Sequence, residues 1–117
     1  MLTFPPGVRV LLCVTPTDMR KSFDGLSGLV QSVFERSVLD GHLFLFLNRR
    51  RDRVKILYWD RDGLAIWSKR LEAGTFQLPR HEDAAQHVEL DAADLALLLS
   101  GVDLHSARRR KRYQNAS

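Results

Sequence analysis

Residues 42–47, His-Leu-Phe-Leu-Phe-Leu, form the most distinctive apolar run in this chain. Successive side chains of a β-strand point to opposite faces of the sheet, so a strand over these residues has apolar side chains on both faces. Strands with both faces buried have this near-continuous apolar pattern. The run is also far shorter than the roughly 18 residues that cross a bilayer. We therefore predict a central strand of a sheet at residues 42–47.

Two more strands are predicted directly after it. Residues 48–52 are polar and predict a turn, and residues 54–59 then alternate as a strand does. The sequence Asp60-Arg61-Asp62-Gly63 predicts a type I turn with a G1 bulge before a strand at residues 64–67. Together these segments predict an antiparallel meander. Residues 74–79 are a candidate for another short strand, and residues 80–89 for a loop.

The flanking segments predict one more strand and two helices. Residues 8–14 are β-branched and apolar, and Pro16 makes their continuation as a strand unlikely. An apolar stripe from Met19 to Phe34 has helical period, with Asp18 or Ser22 as the N-cap. A second helix is predicted to begin after an N-cap at Asp91. The prediction is an α+β fold: a small antiparallel sheet with the first helix on one face and the short C-terminal helix at its end.

Length and composition restrict the class of protein. The chain has 117 residues, of which 44% are hydrophobic and 27% charged, as in a soluble globular protein. We predict one domain over residues 1–105 and a basic, disordered tail over residues 106–117. A Rossmann dehydrogenase, a TIM barrel and a complete kinase are all larger. The single cysteine, Cys13, excludes an internal disulfide and a cysteine-based zinc site, and a reducing cytoplasm is the expected compartment.

The charges are segregated along the chain. Residues 49–55 hold five basic groups and one acid, and residues 108–112 hold five basic groups and none. Residues 82–103 hold six acids and no lysine or arginine. Such segregation suggests a polyanion as the partner of the basic clusters and a basic protein as the partner of the acidic segment. The alternative is that both clusters are only solvated, solubilising surface.

Catalytic and metal sites find little support in the sequence. Asp60 and Asp62 precede Gly63 by three residues and one residue, which fits a turn. An EF-hand loop that began at Asp60 would need its glycine at the sixth position, and Gly63 is at the fourth. A two-metal nuclease site needs about three converging carboxylates, which this element order does not suggest. The four histidines lack close metal-ligand spacing, and no phosphate-binding glycine loop is present. We therefore expect no enzymatic activity, no metal and no cofactor.

Nucleic-acid binding is the preferred hypothesis. A hairpin that carries many arginines lets several guanidinium groups contact phosphates together. Trp59 shares a strand face with two of these cations and is a candidate for base stacking, although core packing is the favoured role of both Trp59 and Trp67. The candidate DNA-binding residues are Arg49, Arg50, Arg51, Arg53, Lys55, Lys69, Arg70, Arg108, Arg109, Arg110, Lys111 and Arg112.

Three blocks of the sequence carry a resemblance to a known family. They are Asp18 to Leu26, Gly41 to Pro79 and Leu90 to Asp103, and the most diagnostic parts are Arg49-Arg50-Arg51-Asp52-Arg53, Leu57-Tyr58-Trp59-Asp60 and Lys69-Arg70-Leu71. Over about residues 8–104 the chain resembles the TnpB accessory protein of the insertion-sequence-66 family of bacterial transposons. Leu47 and Leu78 depart from the family pattern in ways that concern packing.

The resemblance implies a role in DNA transposition without implying an active site. Such proteins are encoded beside a separate, larger transposase, are needed for transposition, and have no established catalytic residues. The expected partners are therefore transposon DNA, the transposase and other accessory proteins of the element, with no membrane involved. An alternative stays open: the acidic segment from Asp91 to Asp103 docks on the transposase or an accessory protein, and the chain does not contact DNA.

Overall fold

The computed structural model describes residues 6–100. In chain order the elements are β1 (Val10–Cys13), α1 (Phe23–Phe34), a short 3-10 helix (Val38–Asp40), β2 (Leu43–Leu47), β3 (Arg53–Asp60), β4 (Gly63–Arg70), β5 (His87–Leu90) and α2 (Ala92–Ser100). The predicted α+β class and both predicted helices are confirmed. The predicted disordered tail, residues 106–117, lies outside the described residues, as does the domain boundary at residue 105.

The five strands form one sheet in the order β4-β3-β2-β1-β5. The central strand is β2, and all five of its residues are buried, as its apolar sequence predicts. The antiparallel meander of β2, β3 and β4 is also confirmed. However, β1 pairs with β2 in parallel, so the sheet is mixed and not wholly antiparallel. The reason is the connection through α1, which returns the chain to the end of the sheet where β1 began.

Two expectations for the segment between β4 and α2 are wrong. Residues 87–89 belong to the segment predicted as a loop, but together with Leu90 they pair with β1, with His87 opposite Cys13 and Leu90 opposite Val10. Residues 74–79 are not a strand in the structure; Phe76 is buried and anchors this segment to the core as a loop. A four-residue edge strand with a polar residue at every second position has too weak a pattern to be recognised. Its pairing is decided by the edge of β1, whose hydrogen-bonding groups need partners.

Both faces of the sheet are covered. Leu26, Val30 and Phe34 of α1 pack on one face, where the Phe34 and Phe44 rings meet edge to face at 5.2 Å. On the other face, α2 and Phe76 pack against alternate residues of β1, β2 and β3. The expected position of the C-terminal helix at the end of the sheet is therefore wrong. Helix α2 lies on the second face because β2 is apolar there too, and that surface must be removed from water.

The helix starts differ in how they are capped. The Asp91 carboxylate accepts a hydrogen bond from the Asp94 N–H at 2.7 Å, which confirms the predicted N-cap of α2. Helix α1 begins at Phe23 after Ser22, whose side chain makes no capping bond. Asp18 accepts from the Arg20 N–H at 2.9 Å within the preceding loop, so it is not the cap of α1. The start of α1 therefore keeps main-chain N–H groups that no capping side chain satisfies.

Candidate nucleic-acid interface

Topology gathers the first basic cluster at one end of the sheet. Strands β1 and β2 are parallel, so Cys13 and Leu47 end at the same side. Strand β3 runs back from Arg53, which lies opposite Arg70 at the end of β4. We call this side the basic end, defined by Arg49, Arg50, Arg51, Arg53 and Arg70. The other side holds the starts of β1 and β2 and the β3–β4 turn.

The turn between β2 and β3 is braced by the Asn48 side chain. Its Oδ1 accepts from the N–H groups of Asp52 and Arg53 at 3.1 and 3.0 Å, and its Nδ2 donates to Asp52 Oδ1 at 2.6 Å. The Arg51 N–H also donates to the Asn48 carbonyl oxygen at 3.0 Å. These bonds fix the backbone of residues 48–53, on which Arg49, Arg50 and Arg51 are exposed. The arginines therefore project from a rigid turn.

A second set of bonds docks this turn onto the loop after β4. The Phe76 N–H donates to the Arg51 carbonyl at 2.6 Å, and the Leu71 N–H donates to the Asp52 carbonyl at 2.7 Å. Because Phe76 is fully buried, the loop and the turn share one anchor in the core. The backbone of the basic turn is thus part of the folded body.

Arg51 occupies an unfavourable backbone position. Its φ is +59°, in the left-handed region where glycine or asparagine is preferred. A residue with a Cβ there costs roughly 1 kcal/mol or more. Arg61 in the β3–β4 turn has the same φ, so the backbone conformation by itself assigns Arg51 no function.

Arg53 and Arg70 form a pair of like charges. They lie directly opposite each other on β3 and β4, and both are exposed. Directly opposed like charges destabilise a sheet. Arg70 contacts Glu72 at 3.4 Å, whereas Arg49, Arg50, Arg51 and Arg53 make no ion pair with any carboxylate among residues 6–100. The basic end is therefore a positive surface that internal carboxylates leave largely uncompensated.

The two predicted lysines have structural contacts. Lys55 Nζ donates to the carbonyl oxygens of Met19 and Lys21, both at 2.8 Å, and so ties the loop before α1 to β3. Lys69 Nζ donates to the Leu99 carbonyl at 2.8 Å, near the C-terminus of α2. Cations at that position also interact favourably with the helix dipole. Both lysines lie at the basic end, but their ammonium groups are already engaged with main-chain oxygens.

The structure adds two cations that the sequence analysis missed. Arg20 and Lys21 lie in the loop that Lys55 holds, directly before the uncapped start of α1. The Arg20 side chain is 92% exposed and pairs with Asp18 at 2.7 Å. That hydrogen bond, with help from the Arg20 N–H, lowers the pKa of Asp18 to about 2. A sequence signal existed, since helix N-termini attract anions, but only the topology shows that this one starts at the basic end.

The second basic cluster, Arg108 to Arg112, lies outside the described residues. The structure does show where the described chain ends: Leu99 is bonded to Lys69, so Ser100 is close to the basic end. Seven residues, 101–107, separate Ser100 from Arg108 in the sequence.

The two tryptophans have different structural contacts. Trp59 shares a sheet face with Arg53, but it is six residues further along β3, and its Nε1 donates to the Arg61 carbonyl at 3.1 Å in the β3–β4 turn. In that two-residue turn the positive φ falls on Arg61 and not on Gly63, so the expected G1 bulge is absent. Trp67 packs against the core on the α2 face. Neither ring lies beside the arginines of the basic end.

The opposite end of the sheet carries five acids of the strands, the β3–β4 turn and the start of α2. Glu89 pairs with Arg9, and this hydrogen bond lowers the pKa of the Glu89 carboxyl. Asp91 and Asp94 follow at the start of α2, and Asp60 and Asp62 flank the β3–β4 turn. Within residues 6–100, no group of three or more histidine, cysteine or acidic side chains is arranged to hold a metal ion. No described helix is long and apolar enough to cross a membrane.

Comparison with known proteins identifies the family. A family model described as IS66 Orf2-like protein matches residues 8–109. The chain belongs to the IS66 Orf2-like family. It is 33% identical over 104 residues to the uncharacterized protein y4jC of Sinorhizobium fredii, covering 89% of this chain and 87% of that protein. It is 38% identical over 103 residues to y4hO of the same strain, covering 88% of each. No solved structure matches the chain.

Membership fixes the general role of this IS66 Orf2-like protein. The family consists of accessory proteins of insertion-sequence transposons and is not a known catalytic family. The resemblance noted from the sequence is therefore confirmed. Membership in the family suggests that the protein associates with the transposition machinery.

Proposed function

We propose that this IS66 Orf2-like protein is a non-catalytic accessory protein that assists a separate transposase by contacting transposon DNA through the basic end. Arg49, Arg50, Arg51, Arg53 and Arg70 supply a fixed set of phosphate contacts, and the cations at residues 108–112 add further ones. The protein acts in the cytoplasm.

The opposed pair Arg53 and Arg70 carries the proposal. Two neighbouring strands place like charges face to face on an exposed surface, which costs folding stability. Phosphate groups remove that repulsion, and guanidinium groups bind them with two parallel hydrogen bonds. The rigid turn beside this pair carries three more exposed arginines at the same end of the sheet. A polyanion is the partner that all five charges share.

A charge-neutralising variant tests the DNA contact. Arg53→Gln with Arg70→Gln should raise Kd for duplex DNA at least about tenfold, because two charge-assisted hydrogen bonds are lost. The slope of log K against log salt should flatten by about 1.8. The matched control is Arg36→Gln with Arg61→Gln, which removes the same charge at the opposite end. Equal losses in both variants would show that only net charge matters, and would contradict a specific surface.

The absence of catalysis is a separate prediction. Purified protein incubated with transposon-end DNA and Mg²⁺ or Mn²⁺ should leave every strand intact on a denaturing gel. The physical reason is that two-metal cleavage requires converging carboxylates, whereas the basic end presents arginines. Nicking that depends on the metal and is lost in Asp60→Asn or Asp62→Asn would overturn this part of the proposal.

Docking on the transposase through the acidic end is the second candidate function. The observation in its favour is the placement of Asp91 and Asp94 on the side of the sheet opposite the arginines. Asp91→Asn with Asp94→Asn removes two charges, and Asn retains the capping bond of α2. Weaker binding of the transposase with unchanged DNA binding would establish this second contact. Loss of transposase binding in the Arg53 and Arg70 variant instead would place it at the basic end.

A further inference from the structure

A cleft opens at the basic end where β1 and β2 terminate. It has a volume of about 170 Å³ and is lined by Val14, Thr15, Pro16, Leu47, Asn48, Arg49, Arg51 and Leu78. Four of these residues are apolar, two are arginines, and Thr15 and Asn48 add polar groups. The cleft therefore joins an apolar wall to a strongly positive one.

The walls of the cleft are fixed by hydrogen bonds. On one side, the Thr17 N–H donates to the Leu47 carbonyl at 2.8 Å and the Val14 N–H to the Gln86 carbonyl at 3.1 Å. On the other side, Asn48 braces the turn that carries Arg49 and Arg51. A site with its walls already in place loses little conformational entropy when a ligand binds.

The position of the cleft in the sheet supports a binding role. Strands β1 and β2 are the only parallel neighbours among the described strands, and the cleft lies beyond their carboxyl ends. Crevices at the carboxyl ends of parallel strands are recurrent ligand sites in α/β sheets. The cleft is lined by residues of both loops that leave these strands, including Thr15 and Arg49.

The chemistry of the lining selects the ligand. We propose that the cleft binds a single nucleotide of a DNA strand, with its phosphate on Arg49 and Arg51 and its sugar and base against Val14, Pro16 and Leu78. This proposal rests on the DNA contact proposed above and deepens it. Arginine is suited to phosphate because its planar fork makes paired hydrogen bonds. The apolar wall removes the sugar and base from water.

The volume limits the cleft to one partly enclosed nucleotide and excludes a longer segment. At about 170 Å³ the cleft lies below the roughly 300 Å³ at which sites that enclose drug-sized ligands begin, and a deoxynucleotide is of that size. The phosphate and part of the sugar or base therefore fill the cleft, and the rest of the nucleotide stays in solvent. A nucleotide within a duplex is stacked and paired, so the strand best able to occupy the cleft is unpaired or frayed, as at a DNA end.

Titrations of the full-length protein with three small probes test the cleft. Amide chemical shifts are followed by NMR during addition of deoxyadenosine 5′-monophosphate, inorganic phosphate or deoxyadenosine. We expect the mononucleotide to move the signals of Thr15, Asn48 and Arg51, with a Kd at least about tenfold below that of either fragment. Equal affinity for phosphate and the mononucleotide would reduce the cleft to an anion site and overturn the proposal.

A filled cleft provides the matched variant. Thr15 is exposed at the cleft, so Thr15→Trp should occupy the space, whereas Ser32→Trp makes a similar addition on the exposed side of α1. We expect Thr15→Trp to abolish the mononucleotide shifts and Ser32→Trp to retain them. Because Thr15→Trp is uninformative if the chain unfolds, Arg49→Lys serves as a second variant that retains charge and loses the fork. Undiminished mononucleotide affinity in both Thr15→Trp and Arg49→Lys would overturn the proposal.

DNA substrates separate this proposal from the function on which it rests. Wild-type protein should bind a duplex with a three-nucleotide overhang about fivefold or more tightly than the blunt duplex, a gain that burial of part of one nucleotide against apolar side chains supplies. Thr15→Trp should bind both like the blunt form. If blunt-duplex binding is normal but the overhang gives no gain, the cleft proposal fails and the DNA-binding proposal stands. If wild-type protein binds neither DNA, the DNA-binding proposal fails first.

Discussion

Arg51 and Arg61 form a natural comparison between two arginines in similar backbone positions. Both are exposed, both lie in turns between antiparallel strands, and both have φ of +59°. They differ in location, since Arg51 lies at the basic end and Arg61 at the opposite one. Each bears the same cost of a Cβ in the left-handed region. Any difference between their substitutions in DNA binding therefore reports the location of the side chain.

Glycine substitutions exploit this comparison. Arg51→Gly and Arg61→Gly should each leave the free energy of unfolding unchanged or raise it by up to about 1 kcal/mol, since relief of strain is offset by a more flexible unfolded chain. Only Arg51→Gly should weaken DNA binding. Urea denaturation and fluorescence anisotropy measure the two effects. A similar loss of affinity in Arg61→Gly would contradict the assignment of Arg51 to the interface.

His42 makes folding stability sensitive to pH. Its Nδ1 accepts the Arg9 N–H at 3.0 Å, which requires that this nitrogen carry no proton. Burial, and then the charge of Arg36, lower the pKa of His42 below its ordinary value of 6.5. The unfolded chain therefore binds the proton more readily than the folded one. The stability from His42 is fully present above about pH 6.5 and is lost as the pH falls towards the folded pKa.

An asparagine variant isolates this effect. His42→Asn offers an acceptor for the Arg9 N–H and does not titrate. We expect the wild-type free energy of unfolding to decrease more steeply than that of His42→Asn between pH 7 and pH 5, because only the wild type has the histidine. Chemical denaturation across that range gives the difference. Parallel pH profiles of the two proteins would contradict the prediction.

At the scale of elements, Lys55 joins β3 to the loop that precedes α1. Its ammonium group holds two carbonyl oxygens, those of Met19 and Lys21, and it is the described side chain that anchors this loop to the sheet by hydrogen bonds. Hydrogen bonds with a charged partner contribute more to stability than neutral ones. The loop carries Arg20 and Lys21, so Lys55 also places two further cations at the basic end.

Two methionine variants distinguish structural from binding cations on the same strand face. Lys55→Met should lower the free energy of unfolding by about 2 kcal/mol, because two carbonyl groups lose their donor. Arg53→Met should leave stability unchanged or raise it slightly, since it removes the repulsion with Arg70. Thermal and urea unfolding measure both. Stability of Lys55→Met equal to the wild type would show that solvent replaces the ammonium group without cost.

At the scale of the whole molecule, the fold converts a segregated sequence into a polarised body. The arginines of the basic end lie at the opposite end of the sheet from Glu89, Asp91, Asp94 and the acids of the β3–β4 turn. Such a charge distribution orients a protein as it approaches a polyanion and accelerates the encounter. If the basic end binds DNA as proposed, Glu89, Asp91 and Asp94 face away from it and are accessible to a basic partner.

The tail prediction belongs to this scale. Deletion of residues 107–117 removes five cations at positions 108–112. If about three of them neutralise phosphates, the slope of log K against log salt should flatten by roughly 2.7. Transposon-end and unrelated DNA should weaken about equally. The melting temperature should stay nearly unchanged, because this segment is poor in apolar residues.

A salt series on both DNAs, with full-length and truncated protein, measures the contribution of the tail. An unchanged slope would mean that residues 108–112 do not contact DNA. That result would favour the alternative in which the chain docks on the transposase or another accessory protein. A loss restricted to transposon-end DNA would instead assign sequence recognition to these residues, in contradiction to their proposed non-specific role.

The sequence by itself determined the elements whose pattern is local and strong. The apolar run at residues 42–47 predicted the central strand, alternation predicted the meander, and helical spacing predicted α1. The Asp91 cap and the dense arginines at residues 49–53 could also be recognised, since they depend on neighbours in sequence. Strand period, helix period and caps depend on residues only a few positions apart, so they can be predicted without knowledge of the fold.

Tertiary structure alone decided which elements meet. It paired β1 in parallel with β2, recruited the weakly patterned β5 to the free edge of β1, and moved α2 onto the second face. It also opposed Arg53 to Arg70, engaged Lys55 and Lys69 with carbonyl oxygens, and opened the cleft between Thr15 and Arg49. These features join residues that are distant in sequence. Their geometry is set by the burial of both sheet faces and by hydrogen-bond satisfaction, which are properties of the whole packed molecule.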